Sequence, residues 1–290
     1  MAWCRNPIST TAASKVRQRR AGGLPPAPGH IVITGASSGL GAALALEYAG
    51  PGVCLALTGR NRERLTAVAQ ACRDAGATRV STACLEVSEA APLAAWLHAV
   101  EAEQPVELII ANAGIAAGPG SGGGGEEPAQ VRRIFAVNVD GTLNTVLPLL
   151  PALRARGRGQ IALMSSLAGF RGLPGAPAYC ASKAALRVWG EGLRCDLAPL
   201  GIGVSVICPG FVATPMTAVN PFPMPFLMDA ARAARIIRRG LDRNRARIAF
   251  PWPTSAAVWL LNALPPAWID PWLRTMPRKP GCGGPEKRED

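Results

Sequence analysis

Short apolar runs recur along the chain at residues 30–34, 53–58, 78–84, 106–111, 160–165, 203–207 and 247–250. They are near-continuously apolar, not alternating. Such a run predicts a strand covered on both faces, the condition of a parallel sheet. Between the runs, apolar positions recur with helical period and predict helices over residues 40–49, 62–75, 90–103, 128–154, 179–197 and 229–242. Strand and helix alternate, so successive parallel strands are joined by right-handed crossovers through a helix. The expected architecture is α/β: a single-domain, doubly wound parallel sheet, Rossmann-like, with helices on both faces. It occupies residues 29–275. The glycine-rich stretch 114–125 reads as a flexible loop after the fourth strand, and residues 276–290 as a polar tail.

Composition agrees with a packed domain. The chain has 290 residues, of which 49% are hydrophobic and 17% charged, too apolar for a disordered polymer. The net charge of +12 is carried mainly by arginine. Neither a lysine-rich patch interleaved with aromatics nor a DNA-binding motif occurs, which argues against a nucleic-acid partner. Eight cysteines form no CxxC pair, and with only two histidines a metal site has no support. Cysteines inside apolar runs fit free thiols in a reducing compartment, hence a cytoplasmic protein. Residues 1–28 hold five basic and no acidic residues, a composition like an organelle leader. Their poor amphipathicity favours a basic disordered tail.

The first strand runs into Thr34-Gly35-Ala36-Ser37-Ser38-Gly39-Leu40-Gly41. Glycines there permit a tight turn and let backbone N–H groups approach a pyrophosphate at the helix N-terminus. The spacing is GxxxGxG rather than GxGxxG. An NAD site places a carboxylate after the second strand for the ribose 2′-hydroxyl. Here that segment is Thr58-Gly59-Arg60-Asn61-Arg62, and Arg60 can pair with a 2′-phosphate. The reading is NADP(H) ahead of NAD(H).

Tyr179 stands four residues before Lys183, so both lie on one helix face. An ammonium beside a phenol favours the phenolate and brings the tyrosine toward the pH range of general acid–base work. Ser166 ends the preceding strand thirteen residues upstream. Asn112-Ala113-Gly114 ends the fourth strand, and Pro209-Gly210 ends the sixth, with Thr214 beyond it. These positions fall where doubly wound sheets bind ligands. Asn138 lies inside the helical stretch 128–154.

In order and spacing, this set resembles the short-chain dehydrogenase/reductase family over residues 30–215. The resemblance implies Tyr179 as proton donor or acceptor and Lys183 as a ribose-binding residue that lowers the tyrosine pKa. It implies Ser166 as the hydrogen-bond partner of the reacting oxygen and Asn138 as support for a proton-relay water. Gly35, Ser37, Ser38, Gly39, Leu40 and Gly41 would cradle the cofactor, with Pro209 and Gly210 beside it. Glu86 and Val87 would flank the adenine, where the family usually has aspartate. Asn112 would brace the sheet, Ala113 and Gly114 would back the cofactor, and Thr214 would contact the carboxamide. The family's reaction is hydride transfer between nicotinamide and a small-molecule carbonyl or alcohol, in a homo-oligomer.

In the family it resembles, the stretch 211–228 is the substrate lid; here it carries no charge and holds several methionines and phenylalanines, which suits an apolar or lipid-like substrate. Seven arginines follow between Arg232 and Arg247. They keep a 3-oxoacyl thioester reductase in play as an alternative. A non-catalytic NADP-binding sensor or scaffold is the rival of another class, disfavoured because the acid–base residues are all present. Residues 248–269 are uncharged and tryptophan-rich, broken by prolines into a helix of about a dozen residues, too short to span a bilayer. Burial within protein, as pocket wall or subunit interface, ranks ahead of peripheral membrane contact through 248–275.

Overall fold

The computed structural model describes residues 28–116 and 125–275. Residues 1–27 of the expected tail 1–28, the expected tail 276–290 and residues 117–124 of the glycine-rich stretch lie outside the described residues. Seven strands form one sheet: β1 (His30–Thr34), β2 (Cys54–Gly59), β3 (Arg79–Cys84), β4 (Leu108–Ala111), β5 (Gly159–Met164), β6 (Ile202–Pro209) and β7 (Arg247–Phe250). Their order is β3-β2-β1-β4-β5-β6-β7, and every pairing is parallel. The order reverses between β1 and β4, which opens a crevice at the carboxyl ends of the strands there.

The helices are α1 (Gly39–Tyr48), α2 (Arg62–Asp74), α3 (Ala90–Glu103), α4 (Pro128–Phe135), α5 (Gly141–Val146), α6 (Leu150–Arg156), α7 (Pro177–Leu197), α8 (Pro215–Ala218), α9 (Ala230–Asp242), α10 (Trp252–Ala263) and α11 (Pro266–Leu273). Because strand side chains alternate, β1 sends Ile31 and Ile33 into one apolar cluster and Val32 into another. The first cluster lies under α1, α2 and α9. The second lies under α3, the α5–α6 segment and α7. Side chains cap the starts of α2 and α9. Asn61 accepts from the Arg64 backbone N–H at 2.8 Å, and Asp229 from that of Arg232 at 3.1 Å.

The structure corrects the sequence-based elements in two places. The stretch expected as one helix over 128–154 is four pieces. A π-helical turn, Ala136–Asp140, separates α4 from α5, and Pro148 and Pro151 stand between α5 and the body of α6. Neither proline has an N–H to donate to the preceding turn. The strand β3 is not continuously buried as expected: only Val80 of its six residues is buried, because it is an edge strand.

Candidate active site

Every expected site residue except Asn138 lines one cleft at the carboxyl end of the sheet. The glycine turn forms its floor. Gly35 and Gly39 take positive φ, 66° and 57°. A Cβ on Gly41 would stand 2.2 Å from the Gly35 carbonyl oxygen, and one on Gly39 would stand 3.2 Å from the Thr214 side chain. The turn therefore closes only on glycine, and it brings Thr214 from the sixth-strand loop against the start of α1. The Ser38 side chain makes no capping hydrogen bond, so side chains leave the first N–H groups of α1 unclaimed. A cradle of bare backbone donors at a ten-residue helix N-terminus fits a pyrophosphate.

Asn112 is hydrogen-bonded to this floor. Its Nδ2 donates to the Thr34 carbonyl at 2.9 Å, and its backbone N–H donates to the Thr34 hydroxyl at 3.1 Å. These bonds tie the ends of β1 and β4 across the crevice. Ala113 N–H also donates to the Thr34 hydroxyl, at 3.2 Å.

At the Glu86 end of the cleft, that carboxylate gathers two arginines. Arg133 Nη2 donates to its Oε2 at 2.7 Å, and Arg60 Nη1 lies 3.6 Å from the same oxygen. Arg60 remains largely exposed at the cleft mouth. Gly59 just before it is also needed, because a Cβ there would sit 2.9 Å from the Ser37 hydroxyl oxygen. Val87 packs against Gly141, whose own Cβ would clash at 2.5 Å.

The expected acid–base residues sit where α7 crosses the end of β5. Tyr179 is partly buried in the first turn of α7, and Lys183 is fully within the protein. The Lys183 Nζ donates to the Met164 carbonyl at 2.8 Å and lies 5.8 Å from the centre of the Tyr179 ring. Burial lowers the lysine to about 8. Burial raises the Tyr179 phenol above its ordinary range, while a hydrogen bond with Ser166 pulls the other way. The expected downward shift of the tyrosine is therefore not met: desolvation of the phenolate dominates, and the Lys183 ammonium bonds the Met164 carbonyl. Ser166 is held by its own turn, accepting from Ala168 N–H at 3.1 Å.

Asn138 stands behind the cleft instead of lining it. It is fully buried in the π-helical turn. Its Oδ1 accepts from Ile115 N–H at 2.7 Å, and its Nδ2 donates to the Ile115 carbonyl at 3.0 Å and the Ser182 hydroxyl at 2.9 Å. Its backbone carbonyl accepts from the Thr142 hydroxyl. Asn138 thus pins the chain after β4 to α7. A Cβ on Gly114 would touch both the Lys183 Nζ (3.1 Å) and Asn138 Oδ1 (3.2 Å), so these groups converge on one glycine.

The structure adds polar residues that the motifs did not name. Ser182 donates to the Tyr179 carbonyl, and Ser165 to the Lys183 carbonyl at 2.7 Å. Thr217 forms a capping box with Thr214, and the T-x-x-T spacing carried that signal. Arg133 carried none, since it reaches Glu86 across 47 residues.

Comparison with known proteins agrees with this geometry. The short chain dehydrogenase family model matches residues 29–221, and the chain belongs to that family of oxidoreductases. An uncharacterized oxidoreductase of Myxococcus xanthus (strain DK1622) is 39% identical over 252 residues, covering 84% of this chain and 96% of the relative. Among solved structures, a short-chain dehydrogenase from Sphingobium yanoikuyae in complex with NADPH has TM-score 0.72 at 24% identity, covering 89% of this chain and 99% of that one. One from Mycobacterium paratuberculosis bound to NAD has TM-score 0.70 at 24% identity, covering 80% and 100%. At that identity these two establish the fold.

Proposed function

We propose that the protein is an NADP(H)-dependent reductase of ketones, or dehydrogenase of the matching secondary alcohols, acting on an apolar or lipid-like substrate. The observation that carries this reading is the convergence of Ser166, Tyr179 and Lys183 with the Gly35–Gly41 turn in one cleft. A bound nicotinamide would supply the hydride. Ser166 orients the substrate oxygen through its hydroxyl. Tyr179, held protonated by burial, delivers its phenolic proton to that oxygen as negative charge develops there. Lys183 keeps a cation beside the phenol and reaches toward the ribose. The backbone donors of Gly39, Leu40 and Gly41 would hold the pyrophosphate, and Arg60 the 2′-phosphate.

Substrate class follows from the 211–228 segment. It folds back beside the cleft through a bridge between Val212 and Met228, and it exposes Met216, Val219, Phe226 and Leu227. An apolar lid suits an apolar substrate. NADPH and NADH oxidation across ketones, aldehydes and acyl thioesters tests the reading. Turnover of apolar ketones with preference for NADPH supports it. Preference for acyl thioesters would move it to a 3-oxoacyl reductase, and equal efficiency with NADH would remove the role given to Arg60.

A further inference from the structure

The C-terminal helical pair differs from everything else in the described chain. No residue of α10 is buried. Trp252 (79%), Trp259 (64%), Trp268 (75%) and Trp272 (50%) are exposed, together with Leu260. Trp252 and Trp259 share one face of α10, and Trp268 and Trp272, four apart, share one face of α11. The sequence offered this segment as pocket wall or subunit interface. None of residues 248–275 lines the cofactor cleft.

The pair is nonetheless held in place beside that cleft. Arg171 donates to the carbonyls of Leu264 (3.2 Å) and Leu261 (3.4 Å) and pairs with Asp270 at 3.8 Å. Val258 packs against the cluster of Leu167, Val206 and Cys208, one residue past Ser166. Pro251, at the start of α10, lies against cleft-lining Gly210.

Topology places a second apolar surface at the same end. The lid leaves the carboxyl end of β6 and the helical pair leaves that of β7, and these strands are parallel neighbours. Exposed Val219, Phe226 and Leu227 of the lid and the four tryptophans therefore emerge from one end of the sheet, beside the cleft.

Charge at this end is mainly basic, with Asp229 engaged in capping α9. Asp270, the only acidic residue of the helical pair, is paired to Arg171. Arg274 at the end of α11 and exposed Arg232 in the first turn of α9 have guanidinium groups with no partner among the described residues. The sequence continues with Arg278 and Lys279 before the next acid, Glu286.

We propose that this end of the molecule docks on an anionic phospholipid surface. The indoles would lie in the headgroup region with the lid beside them, and an apolar substrate would enter the cleft from the lipid. Tryptophan suits that layer because its ring is apolar while its N–H finds an acceptor there. The rim arginines meet lipid phosphates. A second copy of the chain seated over both the lid and the helical pair would cover the substrate entrance, whereas a lipid surface covers both and supplies the substrate. No helix of the described residues is long and apolar enough to cross a membrane, so the contact is interfacial.

The apolar-substrate part rests on the reading under Proposed function, but binding is measured without turnover. The full chain is floated with phosphatidylcholine vesicles with and without phosphatidylglycerol, beside a variant carrying Trp252→Ser, Trp259→Ser, Trp268→Ser and Trp272→Ser. The wild type should float with the anionic vesicles, with a blue shift in tryptophan emission, and the variant should lose about tenfold or more in bound fraction. The variant should keep its NADPH oxidation with a water-soluble ketone, which also shows that it folds. Arg232→Gln with Arg274→Gln, which leaves the apolar face intact, should weaken the preference for anionic vesicles. Absence of flotation, or equal flotation of wild type and the tryptophan variant, would overturn the proposal. So would a wild type that ignores vesicles but forms an oligomer the variant breaks, since that identifies an interface between copies. Vesicle binding without reductase activity would retain this surface and defeat only the catalytic reading.

Discussion

The cofactor cleft and the C-terminal helical pair lie at the same end of one sheet, yet they are built by opposite rules. In the cleft, the Asn112 and Asn138 amides and the Lys183 ammonium each have a partner within the protein, and glycines stand where a methyl group would collide. In the helical pair, large apolar side chains are left exposed among the described residues. A site that organises its own parts constrains residue identity at fixed spacing. A surface made for something outside the chain constrains only composition. The first should fail sharply when altered, and the second should change what the protein touches while leaving its fold intact.

Substitutions can break that contrast. The largest expected effect is at Lys183. Lys183→Met keeps the side-chain volume but removes the charge beside Tyr179, and turnover should fall by about 100-fold or more in steady-state kinetics. Next is Gly41→Ala, which forces a methyl group to 2.2 Å from the Gly35 carbonyl. Displacing the turn should lower stability by ~3 kcal/mol in chemical denaturation and abolish nicotinamide binding. Arg60→Ala should raise the KM for NADPH by about 10- to 100-fold while leaving that for NADH nearly unchanged.

Acidity gives a smaller, graded effect. Lys183 titrates at about 8, below its ordinary value, because burial disfavours its charge. Tyr179 is shifted upward and stays protonated through that range. Carbonyl reduction as proposed uses the charged lysine and the protonated tyrosine, so kcat/KM for reduction should decline as pH rises through about 8. A profile flat to well above that value would separate Lys183 from the rate. The smallest effect belongs to the helical pair. Trp268→Ser, at a largely exposed position, should change unfolding free energy by no more than ~0.5 kcal/mol.

Much of the fold was legible because parallel strands and their crossover helices are written in local periodicity. The seven apolar runs correspond to β1 through β7, with boundary shifts such as β4 beginning at Leu108. The helix expected over 128–154 failed because an apolar period continues through Pro148 and Pro151, whereas backbone hydrogen bonding does not. In the site, spacing revealed the glycine turn and the Tyr179–Lys183 pair. Spacing could not reveal that Arg133 reaches Glu86 or that Asn138 faces Ile115 and Ser182, since both depend on packing between distant segments. The upward shift of Tyr179 was hidden for the same reason: sequence places the lysine nearby but does not measure burial.

The central claim is that Tyr179 delivers the proton in a cleft that binds cofactor through other residues. Its most direct test follows two readouts on Tyr179→Phe in one experiment: the change in nicotinamide fluorescence on NADPH binding, and the loss of nicotinamide absorbance when a ketone turned over by the wild type is added. The account predicts near wild-type NADPH affinity with oxidation reduced by about 100-fold or more. Oxidation at the wild-type rate in that variant would contradict it.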